Sequence, residues 1–272
     1  MALVATYDSL LSRIRLAASG LAGTATYAVF DRSTNNFLSS TTVRGGSRVT
    51  VSGVAAAVDD YEFPVGTPTW YRVRAYNAAD ALVTTFTTGP TTQQLLELDS
   101  DQVWLKVPAA PYMNRIVTIS EAGDLTLPAR TSLFPIVGRN RDIAVSDVRS
   151  SMSYGLKIRT FDYDEELDLR NVLNSSEVLY FQLPSANKSM PSGYFAAGDV
   201  TVGPPGSRAR PERIFTLPLT EAAAPGPDVV GSTYTWASVV ADYPTWSAVI
   251  AANATWADLL QRVGNPGDII VP

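Results

Sequence analysis

The chain has 272 residues, 46% of them hydrophobic and 17% charged, with a formal net charge of -5. That supplies apolar material for two domains and an appendage, and the acidic balance leaves no basic footprint for nucleic acid or for an anionic membrane surface. Cysteine and histidine are both absent, which excludes disulfides, thiolate and imidazole metal sites, cysteine nucleophiles and histidine triads, and leaves carboxylate chemistry, Ser-Lys chemistry, oxygen-ligand metal sites or no chemistry.

The opening "MALVATYDSLLSRIRLAASG" has no charged leader before a long apolar core, and no uncharged apolar run reaches the roughly 18 residues of a membrane helix. A soluble chain without a membrane span, released in the cytoplasm where it is made, is the expectation. Residues 1–94 then alternate apolar and polar side chains in short runs, "SRIRLAA", "TATYAVFDR", "SRVTVSG" and "TWYRVRAYN", each able to present one apolar face at period two. "STNN" at Ser33 to Asn36 is turn chemistry, and the Gly45-Gly46 pair in "VRGGSR" reads as a hairpin turn without the Lys-Ser/Thr ending of a phosphate loop. Asp59 and Asp60 read as a turn pair before Tyr61. The strand carrying Tyr71, Val73, Ala75 and Asn77, with Trp70 at a sandwich corner, resembles the late strand of a fibronectin type III or immunoglobulin-like module. The resemblance implies a β-sandwich that binds partners or acts as a spacer.

"TTGPTTQQ", small and polar with a Gly-Pro break, marks a boundary. A second domain over 95–224 alternates in "DQVWLKVP", "RIVTIS", "LFPIVGR", "DIAVSDVR", "YGLKIRT", "EVLYFQLP" and "RIFTLPLTE". These runs predict a mostly antiparallel barrel or pair of sheets. One helix interrupts them in "TFDYDEELDLRNVLNSS". Asp162 can cap it, Asp164, Glu165 and Glu166 fall in its first turn, and Asn174-Ser175-Ser176 ends it.

"EAAAPGPDVVGS" is a second linker, and residues 225–272 form a linker and C-terminal arm. In the arm Thr-Trp recurs at Trp236, Trp246 and Trp256, each followed three and four places on by apolar pairs: Val239 and Val240, Val249 and Ile250, Leu259 and Leu260. Thr is a competent N-cap, and that spacing puts each trio on one face of a short helix. One continuous helix fits badly, because ten residues at about 100° each rotate successive Trp off a shared face and Pro244 breaks the ladder. Three short helical segments are the better expectation, each too short to be stable alone. Two dockings stay open: back onto the chain's own barrel, or onto a neighbouring subunit or another protein with Trp as anchors. The equal spacing favours the second.

The densest carboxylate cluster is "DYDEELD" at Asp162 to Asp168. A glycosidase needs two carboxylates facing each other across a bond, whereas acidic residues at a helix start have a plainer cause in the helix dipole. A calcium site from Asp162, Asp164 and Glu166 lacks the glycine-containing spacing of an EF-hand. Arg208, Arg210 and Arg213 group in "GPPGSRARPER", a loop that could contact an acidic neighbour, with a solvated loop as the default. No nucleophile-elbow motif stands out, so no catalytic residue, metal or cofactor is assigned. The expectation is a non-enzyme.

"VGRNRDIAVSDVRSSMSYGLKIRT", the acidic-start helix, "VLYFQLP", "SGYFAAGDV" and "RIFTLPLTEAAAPGPDVVG" resemble the minor tail or distal tail proteins of long-tailed bacteriophages. The closing "TYTWASVVADYPTWSAV" is similar to the Thr-Trp-rich ends of minor tail proteins of actinobacterial phages. The resemblance covers nearly the whole chain. It implies a virion structural protein at the tail tip, built on a split barrel and self-associating in a ring, a hexamer in preference to a trimer. Its partners would be the tail tube, the hub, and fibre or receptor-binding proteins. The order departs from distal tail proteins, which generally begin with the ring-forming barrel, and an adaptor around the baseplate therefore stays open. The expected fold class is mainly β: an immunoglobulin or fibronectin III-like sandwich, a split-barrel-like domain with one inserted helix, and an arm of short helices. The alternative is a carbohydrate-binding adhesion module using surface aromatics such as Tyr112, Tyr194 and Phe195.

Overall fold

The computed structural model describes residues 2–134, 137, 143–146, 148–175, 178–184, 190–206, 210–226, 239, 243 and 245–252. The fold is mainly β. Strands β1 (Ala2–Asp8), β2 (Arg13–Ser19) and β6 (Ala55–Asp60) form one antiparallel sheet in the order β1-β2-β6. A second sheet joins β3 (Tyr27–Ser33), β7 (Trp70–Tyr76), β8 (Leu82–Thr87) and the two-residue strands β4 (Thr41–Thr42) and β5 (Val49–Thr50). Period-two alternation sends Ile14, Leu16 and Ala18 from β2 and Ala28, Phe30, Tyr71, Val73 and Ala75 from β3 and β7 into one shared core. The Tyr71-x-Val73-x-Ala75 face therefore points inward as the sequence pattern implies.

Two local readings of this region are corrected. Gly45-Gly46 is not a hairpin turn, because β4 and β5 both lie along β3, at Asp31↔Thr42 and Ala28↔Val49. The glycines belong to a bulge in one interrupted edge strand. Gly45 has φ 71, and a Cβ on Gly46 would stand 2.9 Å from the Val43 carbonyl oxygen. Asp59 and Asp60 are not a turn pair either. They end β6, and alternation turns Asp60 inward, where it is buried.

The boundary stretch is pinned to this first unit. Thr69 and Thr91 exchange backbone hydrogen bonds at 2.8 Å, Gly66 N–H donates to the Gln93 carbonyl, and Leu95 enters the same core. Six strands then close into an antiparallel barrel, β13-β10-β9-β14-β15-β17 with β17 returning to β13. They are β9 (Gln102–Lys106), β10 (Arg115–Ala122), β13 (Ser153–Thr160), β14 (Val178–Gln182), β15 (Gly193–Ala197) and β17 (Arg213–Glu221), and β16 (Thr201–Gly203) pairs alongside β17. The interior takes alternate residues: Val103 and Leu105, Leu156 and Ile158, Leu179 and Phe181, Phe215 and Leu217. Among the described residues, "LFPIVGR" and "DIAVSDVR" supply no barrel strand. They contribute β11 (Thr131–Phe134) and β12 (Ile143–Ser146), which pair only with each other.

Helix α1 (Tyr163–Ser175) crosses from β13 to β14 and adds Leu169 and Val172 to the barrel core. Its cap is the expected one. Asp162 Oδ1 accepts from Glu165 N–H at 2.8 Å, and Glu165 reaches back to accept from Phe161 N–H at 2.7 Å, a reciprocal N-terminal lock. Within the arm, helix α2 (Trp246–Ala252) follows Thr245, whose hydroxyl accepts from Ala248 N–H at 3.3 Å.

Candidate functional site

Of the arm residues read from the Trp repeat, Val239, Trp246, Val249 and Ile250 can be placed, and Trp236, Val240, Trp256, Leu259 and Leu260 lie outside the described residues. Val239 and Val249 pack together with Tyr243 in a small cluster, each 6% exposed. Trp246 is 60% exposed and Ile250 74%. The expected trio is thus split: Val249 anchors α2 inward, while Trp246 and Ile250, four apart, form an outward apolar face.

The most heavily buried polar groups lie elsewhere, where the sandwich meets the barrel, and the sequence reading missed them. Strands β9 and β14 are buried on both faces. One face fills the barrel, and the other sends Trp104, Lys106, Tyr180 and Gln182 against the first unit. The Lys106 ammonium donates to the Ser12 carbonyl at 2.6 Å, the Tyr61 carbonyl at 2.7 Å, Ser12 Oγ at 3.1 Å and Gln182 Oε1 at 2.5 Å. Gln182 Nε2 in turn donates to the Phe63 carbonyl at 2.7 Å. Burial pushes the Lys106 ammonium down to about 7, against the pull of Asp60, Glu62 and Glu97. Ser12 holds a left-handed backbone, φ 44, that offers both its carbonyl and its hydroxyl to the lysine.

Around this plug the first unit arranges compensating pairs. Asp60 accepts from Arg32 at 2.8 and 3.1 Å, from the Tyr71 hydroxyl at 3.0 Å and from Glu62 N–H at 3.0 Å. Glu62 pairs with Arg44 at 2.6 Å, and Arg44 also donates to the carbonyls of Pro225 and Gly226 at 3.1 and 2.6 Å. The chain leaving the barrel is therefore held at the junction, which fixes where the arm departs. A small cavity of about 30 Å³ lies among Asp59, Glu62, Lys106 and Asn114. A wider cleft of about 600 Å³ opens between Pro64 and Val65 of the sandwich and Tyr180, Gln182, Met190 and Ser192 of the barrel side.

The other candidates resolve into local roles. In "DYDEELD", Asp162 caps α1, Asp168 pairs with Arg115 at 3.1 Å, and Glu166, 5% exposed, pairs with Arg170 at 2.6 Å and Arg213 at 3.6 Å. Arg213 is consequently no loop cation: it begins β17 and ties the helix to the barrel wall. Arg210 stays in the preceding loop, its carbonyl accepting from Arg213 at 2.7 Å, and Arg208 lies outside the described residues. Phe195 is no surface aromatic. It is 1% exposed in the barrel core, edge-on to Tyr154 and Phe181. Tyr194 leans on Tyr180 at 4.8 Å, and of the three proposed aromatics only Tyr112 is well exposed, at 47%. Among the described residues no helix is long and apolar enough to cross a membrane, and no group of three or more acidic side chains is placed to hold a metal ion.

No protein-family model matches the chain, and none of the curated proteins is recognisably similar to it.

Proposed function

We propose that the protein is a structural subunit of the tail tip or baseplate of a long-tailed bacteriophage, a virion component that links the tail tube to hub, fibre or receptor-binding proteins. The observation that carries this reading is the split of the arm helix: α2 buries Val249 in its own chain and leaves Trp246 and Ile250 exposed. Exposed Trp with an aliphatic neighbour is the composition of an interface anchor. The departure of the arm beside Arg44 aims that anchor from a fixed point.

The two β units support the same reading. Three strands facing a four-strand path, with β1-β2-β6 opposite β4/β5-β3-β7-β8, suit an immunoglobulin or fibronectin III-like module, and the closed barrel suits the ring-forming unit of a distal tail protein. Self-association in a ring, hexameric in preference to trimeric, belongs to this reading. It assigns no catalytic step, in keeping with the structural duties of Asp162, Glu166 and Asp168. Deleting residues 232 to 272 should leave a folded protein that fails to join the tail. Particles of normal composition and infectivity built from that deletion would overturn the proposal.

A second reading, a carbohydrate-binding adhesion module, draws on the 600 Å³ cleft, whose wall carries the exposed Ser192 beside the apolar side chains of Val65 and Leu125. Glycan-array binding that is lost on Ser192→Ala, with an unchanged melting temperature, would move it ahead.

A further inference from the structure

The outer face of the second sheet, opposite its core side, carries an ordered row of arginines and aromatic rings. Asp31, 2% exposed, accepts from both Arg72 and Arg74, at 2.9 Å in each case. Arg72 lies over the Phe37 ring at 4.6 Å, and Arg74 donates to the Tyr76 hydroxyl at 3.1 Å. Tyr76 stacks on Tyr27, its partner across the strands, with centroids 5.2 Å apart and planes at 11°. Arg48 covers Tyr27 at 4.1 Å. Each member is held by the next, so the row is ordered before any partner arrives and little side-chain freedom remains to be lost on binding.

The charges do not cancel. A single carboxylate serves Arg72 and Arg74, and Arg48, 67% exposed, has Asp80 no nearer than 3.9 Å. Three guanidiniums thus face two carboxylates on a protein whose net charge is -5. Such a face fits a partner segment that is acidic and aromatic, since guanidiniums take carboxylates as ion pairs and indole rings as stacking partners.

The chain carries such a segment. Residues 227 to 272 hold four aspartates, Asp228, Asp242, Asp258 and Asp268, against one arginine, Arg262, together with the three Thr-Trp tryptophans. Within one chain, however, Trp246 is 60% exposed, Ile250 74% and the Arg48 side chain 67%. Both surfaces are exposed in one chain at the same time, which leaves them available to a second copy. We propose that the acidic, aromatic C-terminal arm of one copy docks, through the Trp246 and Ile250 face of α2, on the arginine–aromatic row of the sandwich of a second copy. The inference deepens the assembly reading above by naming the two surfaces that meet. A contact between two different patches runs head to tail and closes into a ring when the rotation permits.

Photo-crosslinking on the full-length chain tests this. A light-isotope copy with Trp246→benzoylphenylalanine is mixed with a heavy-isotope wild-type copy, irradiated, and digested for mass spectrometry. The expected product joins position 246 of the light chain to heavy peptides covering 27–48 or 70–76. Products confined to one light chain, products on the barrel, or a monomeric solution mass for the wild-type chain would each overturn the inference. Trp246→Ala and Arg48→Glu, both at exposed side chains, should each weaken self-association by about tenfold or more with an unchanged melting temperature, and added salt should weaken the wild-type contact. Unchanged association in both variants would also overturn it. The tail-tip reading fails separately: the chain would then self-associate through these surfaces yet be absent from tails.

Discussion

At the residue scale the junction lysine makes the sharpest prediction. An unfolded chain holds the Lys106 proton up to about pH 10.4, whereas burial brings the folded group to about 7. Below pH 7 both states are protonated and the full cost of burying the ammonium is felt. Between pH 7 and about 10.4 the unfolded state binds more protons, so the Lys106 contribution to stability rises with pH. Subtracting a Lys106→Met variant removes the titrations that both chains share. Wild-type stability minus variant stability, measured by urea unfolding, should climb from pH 7.5 to 9.5 with a slope approaching about 1.4 kcal/mol per pH unit. A flat difference would mean that the four oxygens keep the ammonium charged. Asp60 gives a second, pH-independent test at neutral pH. It accepts from Arg32, Tyr71 and the Glu62 amide, and Asp60→Ala would leave the largely enclosed Arg32 guanidinium, 18% exposed, without its carboxylate. The expected loss is about 3 to 5 kcal/mol, read from the shift in the urea midpoint.

At the element scale, what the sequence revealed and what it hid divide by the distance between partners. Helix α1 was legible because its determinants sit within one turn: Asp162, Glu165 and the backbone amides they serve. Asp162→Ala should therefore cost about 1 kcal/mol, and a loss near zero in thermal unfolding would mean that packing of Leu169 and Val172 alone sets the helix. The alternation of β2, β3 and β7 was legible for the same local reason. The interrupted edge strand was not, because two glycines between short polar runs signal a turn equally well whether the chain reverses or only bulges. Gly46→Ala separates these. Added to a bulge it drives a methyl to 2.9 Å from a backbone oxygen, which should destabilise by roughly 1 to 3 kcal/mol, whereas a free hairpin tip would tolerate it. Lys106 and Trp104 were hidden for a further reason. In "DQVWLKV" a period of two separates Val103 and Leu105 from Trp104 and Lys106, and a lone strand reads the second set as solvent-facing. Only the arrival of Ser12, Tyr61 and Phe63, far away in sequence, makes that face an interior. The arm was half legible: periodicity found the helical spacing, but that Val249 and not Trp246 points inward depends on Tyr243 and Val239, which lie outside that trio.

For the whole molecule, the junction implies that sandwich and barrel unfold together. Trp104 belongs to a barrel strand yet is 4% exposed within the sandwich core, and Leu95 beyond the boundary stretch fills the same core. A chain ending at residue 94 would lose both, and with them the donors that Lys106 and Gln182 supply to Ser12, Tyr61 and Phe63. Such a fragment should show no cooperative unfolding transition. In the full chain, native-state hydrogen exchange should give sandwich amides at Phe30 and Val73 the same opening free energy and denaturant slope as barrel amides at Leu156 and Phe215, because the largest opening exposes both cores at once. Trp104→Ala removes the ring that links them, at an expected cost of about 3 to 5 kcal/mol, and should lower the protection of Phe30 and Val73 more than that of Leu156. Sandwich amides that open independently in the wild-type chain would show two units that merely touch. Matched protection that separates only in the variant would show that a rigid pair, joined through one tryptophan and one buried lysine, carries the arm from a fixed departure point.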